Sequence, residues 1–231
     1  MEAPESIQSH SYEPAMFNPN AGDSYGHGWE TMKSYILELL LILIVYGIIS
    51  IPSMITSFIA DEDLISTGTI IMFLVGLLYS LFILGPLSFT VSYAFLKAVR
   101  KEKTEVKDLF DFSGQFGNAL LANILVGFIV GLGVVFFIIP GIVFACKLAF
   151  VPYLVMDKKL DSLDAIKESW QMTNGHGWTI FAMALLAIPI GFVGLLLIGV
   201  GIVFAYMWIG LAFAALYYAV DTNYRTDANV E

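Results

Sequence analysis

Hydrophobic residues dominate six long segments of this chain, and charged residues are nearly absent from all of them. The segments cover residues 35–51, 67–98, 118–139, 141–156, 178–198 and 202–220. A helix rises about 1.5 Å per residue, so about 20 apolar residues can cross the roughly 30 Å hydrocarbon core of a bilayer. The pattern predicts an all-α fold, a polytopic membrane protein with six transmembrane helices.

Glycine and proline residues interrupt or separate these segments. The second segment is too long for one upright helix, and a Gly-Pro pair in its middle predicts a bend or a tilt. Further glycines and a proline between segments three and four, and between segments five and six, predict tight reversals. The residues assigned to these structural turns are Gly85, Pro86, Pro140, Gly141, Gly199 and Gly201.

A short internal repeat supports two similar helical hairpins. The sequence GIVFA at 141–145 recurs at 201–205, and Gly131 and Ile138 match Gly191 and Ile198 at the same offset. Gly127 and Gly131 also form a Gly-x-x-x-Gly face in the third segment, and Gly191 with Gly194 forms a smaller face in the fifth. Such faces allow close helix packing, either within the monomer or between two copies in a homodimer.

Composition divides the chain into three parts and excludes a water-soluble domain. The 231 residues are 58% hydrophobic and only 13% charged, against roughly 25% in soluble domains. Residues 1–30 are acidic and contain no lysine or arginine, which predicts a mobile tail before a membrane domain at 31–221 and a short C-terminal tail at 222–231. His10 and His27 lack the spacing of a metal site, and we expect no cofactor.

Basic residues predict the orientation of the helices. In the six-helix arrangement, every lysine and arginine except Lys147 falls on one side, together with both termini, whereas Asp61, Glu62 and Asp63 lie on the opposite side. Because positive charge resists translocation, the basic side is expected to face the cytoplasm.

Each of the two basic loops contains a pattern typical of a short amphipathic helix. Val106, Leu109, Phe110 and Phe116 fall largely on one face in the first loop, and Leu163, Ile166 and Trp170 share one face in the second. Such helices either lie in the headgroup layer as interfacial amphipathic helices or cap the end of the bundle.

Part of the chain resembles a known group of membrane proteins. The resemblance covers most of residues 70–220 and is carried by Ile139-Pro140-Gly141-Ile142, Tyr153, Asp157, Ser162, Ala165, Ser169-Trp170, Thr173, Gly175-His176 and Trp178. These residues resemble the YciC-like family of bacterial integral membrane proteins, which is related to the membrane domain of some glycerophosphodiester phosphodiesterases. The resemblance implies a six-helix protein of the bacterial inner membrane without an agreed biochemical activity.

Lys147 is the principal candidate for a functional residue, because a charge near the bilayer centre costs on the order of 3 kcal/mol. It is expected to extend toward the outer interface and the acidic turn at 61–63, to line a functional path, or to pair with Glu38. Trp170 is the largest apolar residue of the second loop helix. His176 lies in a helix-breaking link, which favours an interfacial hydrogen-bonding role.

Motifs for catalysis are missing from the sequence. It contains no Gly-x-Ser-x-Gly, no His-Glu-x-x-His and no phosphate-binding loop. The sequence therefore predicts a non-enzymatic inner-membrane protein that acts through membrane lipids, a protein partner or a homodimer, and nucleic acid is not an expected partner. The alternative is a small transporter with a polar path lined by Lys147, Asn123 and Glu38.

Overall fold

Ten α-helices form the part of the chain that the structure, a computed structural model, describes, namely residues 18–58, 67–197 and 200–228. The helices are α1 Ala21–Ser34, α2 Ile36–Phe58, α3 Thr67–Tyr79, α4 Gly85–Val99, α5 Phe116–Phe136, α6 Ile138–Lys147, α7 Val151–Asp157, α8 Ser162–Met172, α9 Gly177–Leu196 and α10 Val200–Ala228. A π-helical turn, Ser80–Leu84, joins α3 to α4, and a 3₁₀ helix covers Val106–Phe110.

The predicted all-α, six-span fold is confirmed. Six stretches are long and apolar enough to cross a membrane: Ile36–Ile55, Thr67–Val99, Phe116–Phe136, Ile138–Asp157, Gly177–Leu196 and Val200–Tyr224. In four of these stretches only 17% of an 18-residue apolar window is buried, against 44% and 50% in the fourth and sixth, and no residue of α3 is buried. This exposure of apolar side chains is the pattern expected where lipid replaces water as the solvent.

Both tails were predicted too long. Residues 21–30, assigned to the mobile acidic tail, form most of α1, and residues 222–228, assigned to the C-terminal tail, belong to α10. The Asn20 side chain accepts a hydrogen bond from the Asp23 backbone N–H and so caps α1. The rest of the predicted N-terminal tail, 1–17, lies outside the described residues.

Helix α1 packs tightly against α10. The Tyr25 hydroxyl donates to the Met183 carbonyl at 2.9 Å, and Trp208 Nε1 donates to the Tyr25 carbonyl at 2.9 Å. Burial raises the pKa of Tyr25 to about 12, so its hydroxyl remains protonated and available as a donor. These contacts tie a segment of low hydropathy to α9 and α10, which hydropathy alone did not predict.

We predict that Gly28→Leu detaches α1 while Gly26→Leu does not. A Cβ atom on Gly28 would lie 2.8 Å from the backbone nitrogen of Ala212, whereas a Cβ on Gly26 meets nothing within 4 Å. Backbone atoms cannot move aside as a side chain can, so the helix must shift. Hydrogen–deuterium exchange over residues 21–34 should accelerate about tenfold or more in Gly28→Leu. Equal exchange in the two variants would contradict the packing described.

The glycine-proline turns are placed differently from the prediction. The reversal between α5 and α6 lies at Phe137, which is extended (φ −159°), and Pro140 and Gly141 lie in the first turn of α6. Gly201 likewise lies in the first turn of α10, and Gly199 falls outside the described residues. Proline is tolerated in a first helical turn because the N–H it lacks would have no helical acceptor there.

Glycine pairs hold the two hairpins together. A Cβ on Gly133 would lie 2.8 Å from the Cα of Gly141, and a Cβ on Gly194 would lie 2.7 Å from the carbonyl oxygen of Gly201. Packing of Gly127 and Gly131 within the monomer was the first expectation and is wrong, because neither has a neighbour within 4 Å of an added Cβ. Both remain on the outer face of α5.

At Gly85-Pro86, where the sequence predicts a bend or a tilt, the structure has a π-helical turn directly before the pair. The Gly85 N–H donates to the Ser80 carbonyl, five residues back. The fourth span also differs from one regular helix, since it is interrupted at residues 148–150 between α6 and α7. This interruption determines toward which end of the bundle the Lys147 side chain extends.

Candidate functional site

A set of paired charges joins the helices at one end of the bundle, which we call the basic end; it comprises α1, the loops at 100–115 and 158–176, and the C-terminal part of α10. Arg100, which caps α4, makes two hydrogen bonds of 2.5 and 2.7 Å to the Asp157 carboxylate at the end of α7. The guanidinium also lies 5.7 Å from the ring centre of Tyr218 on α10. Bidentate pairing fixes the geometry of both side chains.

A second pair lies beside the first. The ammonium of Lys158 lies 2.7 Å from the carboxylate of Asp221, which is fully buried on α10, and 3.6 Å from Glu168 on α8. The hydroxyl of Tyr217, on α10 like Asp221, donates to Asp157 of the first pair at 3.2 Å. The carboxylates of these pairs compensate their basic partners, which is the condition for keeping charges out of water.

The first basic loop closes over the same end. Lys97 on α4 contacts Asp108 of the 3₁₀ helix at 2.8 Å, and Thr90 donates to the Leu109 carbonyl at 2.8 Å. The predicted amphipathic helix is thus a five-residue 3₁₀ helix that caps the bundle, with Leu109 buried and Phe110 exposed. Hydrogen bonds from Lys103 and Lys107 lower the pKa of the exposed Glu105 carboxyl to about 2, so it remains charged at the start of this helix.

The second loop forms the predicted helix α8, and its side chains divide into three faces. At about 100° per residue, its buried face is centred roughly a third of a turn from its apolar face. The buried face consists of Ser162, Ala165, Ser169 and Met172. Leu163 and Trp170 are exposed on the apolar face, and Asp164 and Lys167 are exposed on the third, charged face. Small residues therefore dock α8 on the bundle. Of the predicted apolar stripe, Leu163 points outward, Ile166 is half-buried against the core, and the exposed Trp170 ring lies 5.9 Å from the ring of Phe144 on α6.

Hydrogen bonds fix the position of α8. Ser162 donates to the Asn118 carbonyl at 2.8 Å, at the start of α5. Ser169 donates to the Lys147 carbonyl at 2.8 Å, next to the interruption between α6 and α7. The helix is thus attached at both ends to neighbouring spans.

Lys147 points toward the basic end, opposite to the expected direction. Its ammonium donates to the side-chain oxygen of Asn174 at 2.6 Å and lies 5.7 Å from the ring centre of Trp170. The acidic turn at 61–63, its expected partner, lies outside the described residues. The helix interruption and the adjacent polar turn at 173–176 bring an acceptor to Lys147 on the basic side.

The other predicted site residues have separate environments. Glu38 is exposed in the first turn of α2, where the helix dipole stabilises a carboxylate. Asn123 packs against Gly85 and makes a long, weak hydrogen bond of 3.5 Å to the Leu81 carbonyl in the π-helical turn. The contacts of Lys147, Asn123 and Glu38 do not bring these three residues together.

His176 lies at the junction where the polar turn meets α9. Its backbone carbonyl accepts from Ile180, and its position is the N-cap of α9. Burial lowers the pKa of its imidazole, which favours the neutral form at neutral pH. Within residues 18–58, 67–197 and 200–228, no group of three or more His, Cys, Asp or Glu side chains is arranged to hold a metal ion.

No protein-family model, curated protein or solved structure matches the chain. The ionic pairs at the basic end could have been suspected from Arg100, Asp157 and Asp221, which interrupt or flank apolar segments. Which residues pair could not be predicted, because the partners are separated by 57 and 63 positions along the chain, from 100 to 157 and from 158 to 221.

Proposed function

We propose that this protein is a non-enzymatic, multi-pass protein of the bacterial inner membrane that acts through lipids or a protein partner. The observation that carries the proposal is the three-faced helix α8. Its small-residue face is used by the bundle, which leaves Leu163 and the exposed part of Trp170, whose ring also contacts Phe144, for another apolar surface. A helix with one apolar and one charged free face matches the boundary between hydrocarbon and water.

The arrangement of charges supports a structural role for the basic end. Arg100 and Asp157 pair with each other, and Lys158 pairs with Asp221, so these groups join α4, α7 and α10. A catalytic acid or base must reach a substrate, whereas these side chains are at most 16% exposed and face one another.

Orientation and family membership follow as parts of the proposal. Lys147 extends to the end of the bundle that also holds Arg100 and Lys158, which strengthens the concentration of positive charge there. A cytoplasmic basic end, with both termini cytoplasmic, agrees with the tendency of positive loops to remain inside. Membership in the YciC-like family stays a prediction from the sequence resemblance.

A homodimer is one form that the protein partner could take. Gly127 and Gly131 lie four residues apart on α5, and the space beside both is open. A second copy of α5 fits such a face, since the absence of side chains lets two backbones approach closely.

Spin labels on α8 test the contact with lipid. In a Cys146→Ser background, a label at Leu163→Cys in lipid nanodiscs should be more accessible to oxygen than to a water-soluble nickel chelate. The label at Asp164→Cys, one residue away on the charged face, should show the opposite preference. The reason is that oxygen concentrates in hydrocarbon and the chelate remains in water.

The same labels distinguish lipid from protein as the partner. A protein partner predicts that the Leu163 label loses its oxygen accessibility in native membranes and regains it after purification. If the nickel chelate reaches the Leu163 and Asp164 labels equally in both settings, α8 has no apolar contact and the proposal is wrong.

A further inference from the structure

An apolar groove runs along the outside of the bundle between α6 and α9. Its volume is about 450 Å³, and it is open on the side that faces away from the protein. Its apolar walls are formed by Ile139, Ile142, Val143, Cys146, Trp178 and Phe181. From Ile139 to Lys147 the groove extends about 12 Å, close to the depth of one leaflet of a roughly 30 Å hydrocarbon core.

The groove has a charged residue at only one of its ends. Lys147 lines it at the basic end, together with Gly177 and Trp178 in the first turn of α9. Almost all of the wall is apolar, so Lys147 contributes its hydrocarbon stem, and its ammonium lies at the edge of the groove, where it donates to Asn174. The first N–H groups of α9, which have no helical acceptor, lie beside the same edge. Trp178 is 84% exposed, and an exposed tryptophan is typical of the interface between hydrocarbon and headgroups.

The charge of Lys147 is uncompensated by the protein in the described part of the chain. Among the basic residues whose burial the structure describes, four are half-buried: Lys97, Arg100, Lys147 and Lys158. Three of them lie within ion-pairing distance of a carboxylate. Lys147 instead contacts the neutral side-chain amide of Asn174 and the ring of Trp170. A positive group at the end of an apolar groove calls for a ligand with one anionic end and one apolar end.

We propose that this groove binds one anionic phospholipid, with an acyl chain along α6 and α9 and the phosphate at Lys147. The inference rests on the proposed function and specifies its ligand. A phospholipid fits because the groove is apolar and open along the outside of the bundle, its length of about 12 Å is close to the depth of one leaflet, and a single cation lies at its basic end. Trp170 and the free face of α8 adjoin the same headgroup.

Native mass spectrometry of the detergent-purified protein tests the proposal, with added phosphatidylglycerol or phosphatidylcholine as the probe. The wild-type protein should retain one phosphatidylglycerol more strongly than phosphatidylcholine. Lys147→Met should reduce retention of phosphatidylglycerol about tenfold, the loss expected for one charge-assisted contact. Lys147→Arg should preserve it. Lys167→Met removes an exposed lysine of α8 and serves as the matched control, with unchanged retention.

Two further arms separate the acyl chain from the phosphate. Val143→Trp should fill the groove and reduce retention of both lipids, whereas inorganic phosphate at millimolar concentration should not displace phosphatidylglycerol. Equal retention of the two lipids by the wild-type protein, or unchanged retention in Lys147→Met, would overturn the proposal. Loss of retention in Lys167→Met as large as in Lys147→Met would also overturn it, since binding would then follow general charge.

A failure of the lipid-site proposal can be distinguished from a failure of the proposed function. The spin label at Leu163 reports lipid contact of α8 and does not depend on the groove. An oxygen-accessible Leu163 label together with no preference for phosphatidylglycerol would refute the lipid site and leave the proposed function standing.

Discussion

Replacing Asp157 by alanine is expected to lower the free energy of unfolding by about 3–5 kcal/mol, the usual cost of leaving one partner of a buried ion pair alone. The Arg100 and Asp157 side chains are 12% and 8% exposed, so water cannot readily replace the missing carboxylate. The variant would also remove the acceptor of the Tyr217 hydroxyl. Thermal or denaturant unfolding in one fixed detergent measures the change.

The control for this prediction is the exposed ion pair on α8. Asp164 and Lys167 lie 3.2 Å apart with side chains 61% and 71% exposed, and Asp164→Ala should change stability by less than about 1 kcal/mol. Replacing both members of the buried pair, in Arg100→Met with Asp157→Leu, should recover much of the loss because no unpaired charge remains. Equal stability of Asp157→Ala and Asp164→Ala would show that the pair does not join α4 to α7.

Gly133→Ala is expected to destabilise the protein by about 1–3 kcal/mol, the range found when extra atoms are forced into a packed contact. The added Cβ would lie 2.8 Å from both the Gly141 Cα and a ring carbon of Phe144. Helices α5 and α6 would have to separate where they are closest. The measurement is again unfolding in a single detergent.

Gly131→Ala provides a control only two residues away. Its Cβ meets nothing within 4 Å, so the change should be neutral or stabilising by up to about 1 kcal/mol through helix propensity. The second hairpin repeats the test, with Gly194→Ala as the disruptive variant and Gly191→Ala as its control. The oligomeric mass should be measured for each control, because Gly131 is also the residue assigned to a dimer face. Equal stability within both pairs of variants would contradict the hairpin packing.

Much of the fold follows from local sequence patterns. The six apolar segments correspond to the six long apolar helical stretches. Helix α8, Ser162–Met172, covers the predicted positions Leu163, Ile166 and Trp170. Hydrophobic runs and helical periodicity depend only on neighbours within a few turns, which is why they can be read without the tertiary structure.

Other features depend on contacts between distant residues. Residues of α1 have low hydropathy, and their order comes from docking on α10 through Gly28 and Tyr25. The chain reverses at Phe137, so Pro140 and Gly141 lie in a helix and not in the turn. The reason is that the close approach of Gly133 and Gly141 requires two aligned helices.

The sequence by itself determined that lipid surrounds this protein, that it has six spans and that its basic residues lie mostly outside the apolar segments. These properties are sums over local composition, and an apolar helix of sufficient length partitions into a bilayer whatever its neighbours are. Only the tertiary structure decided that Lys147 turns toward Asn174, that Arg100 meets Asp157 and that α8 keeps Leu163 exposed on its apolar face. Each of these depends on how helices far apart in the chain are packed, since a charge or a free face acquires its role from whatever element lies opposite it.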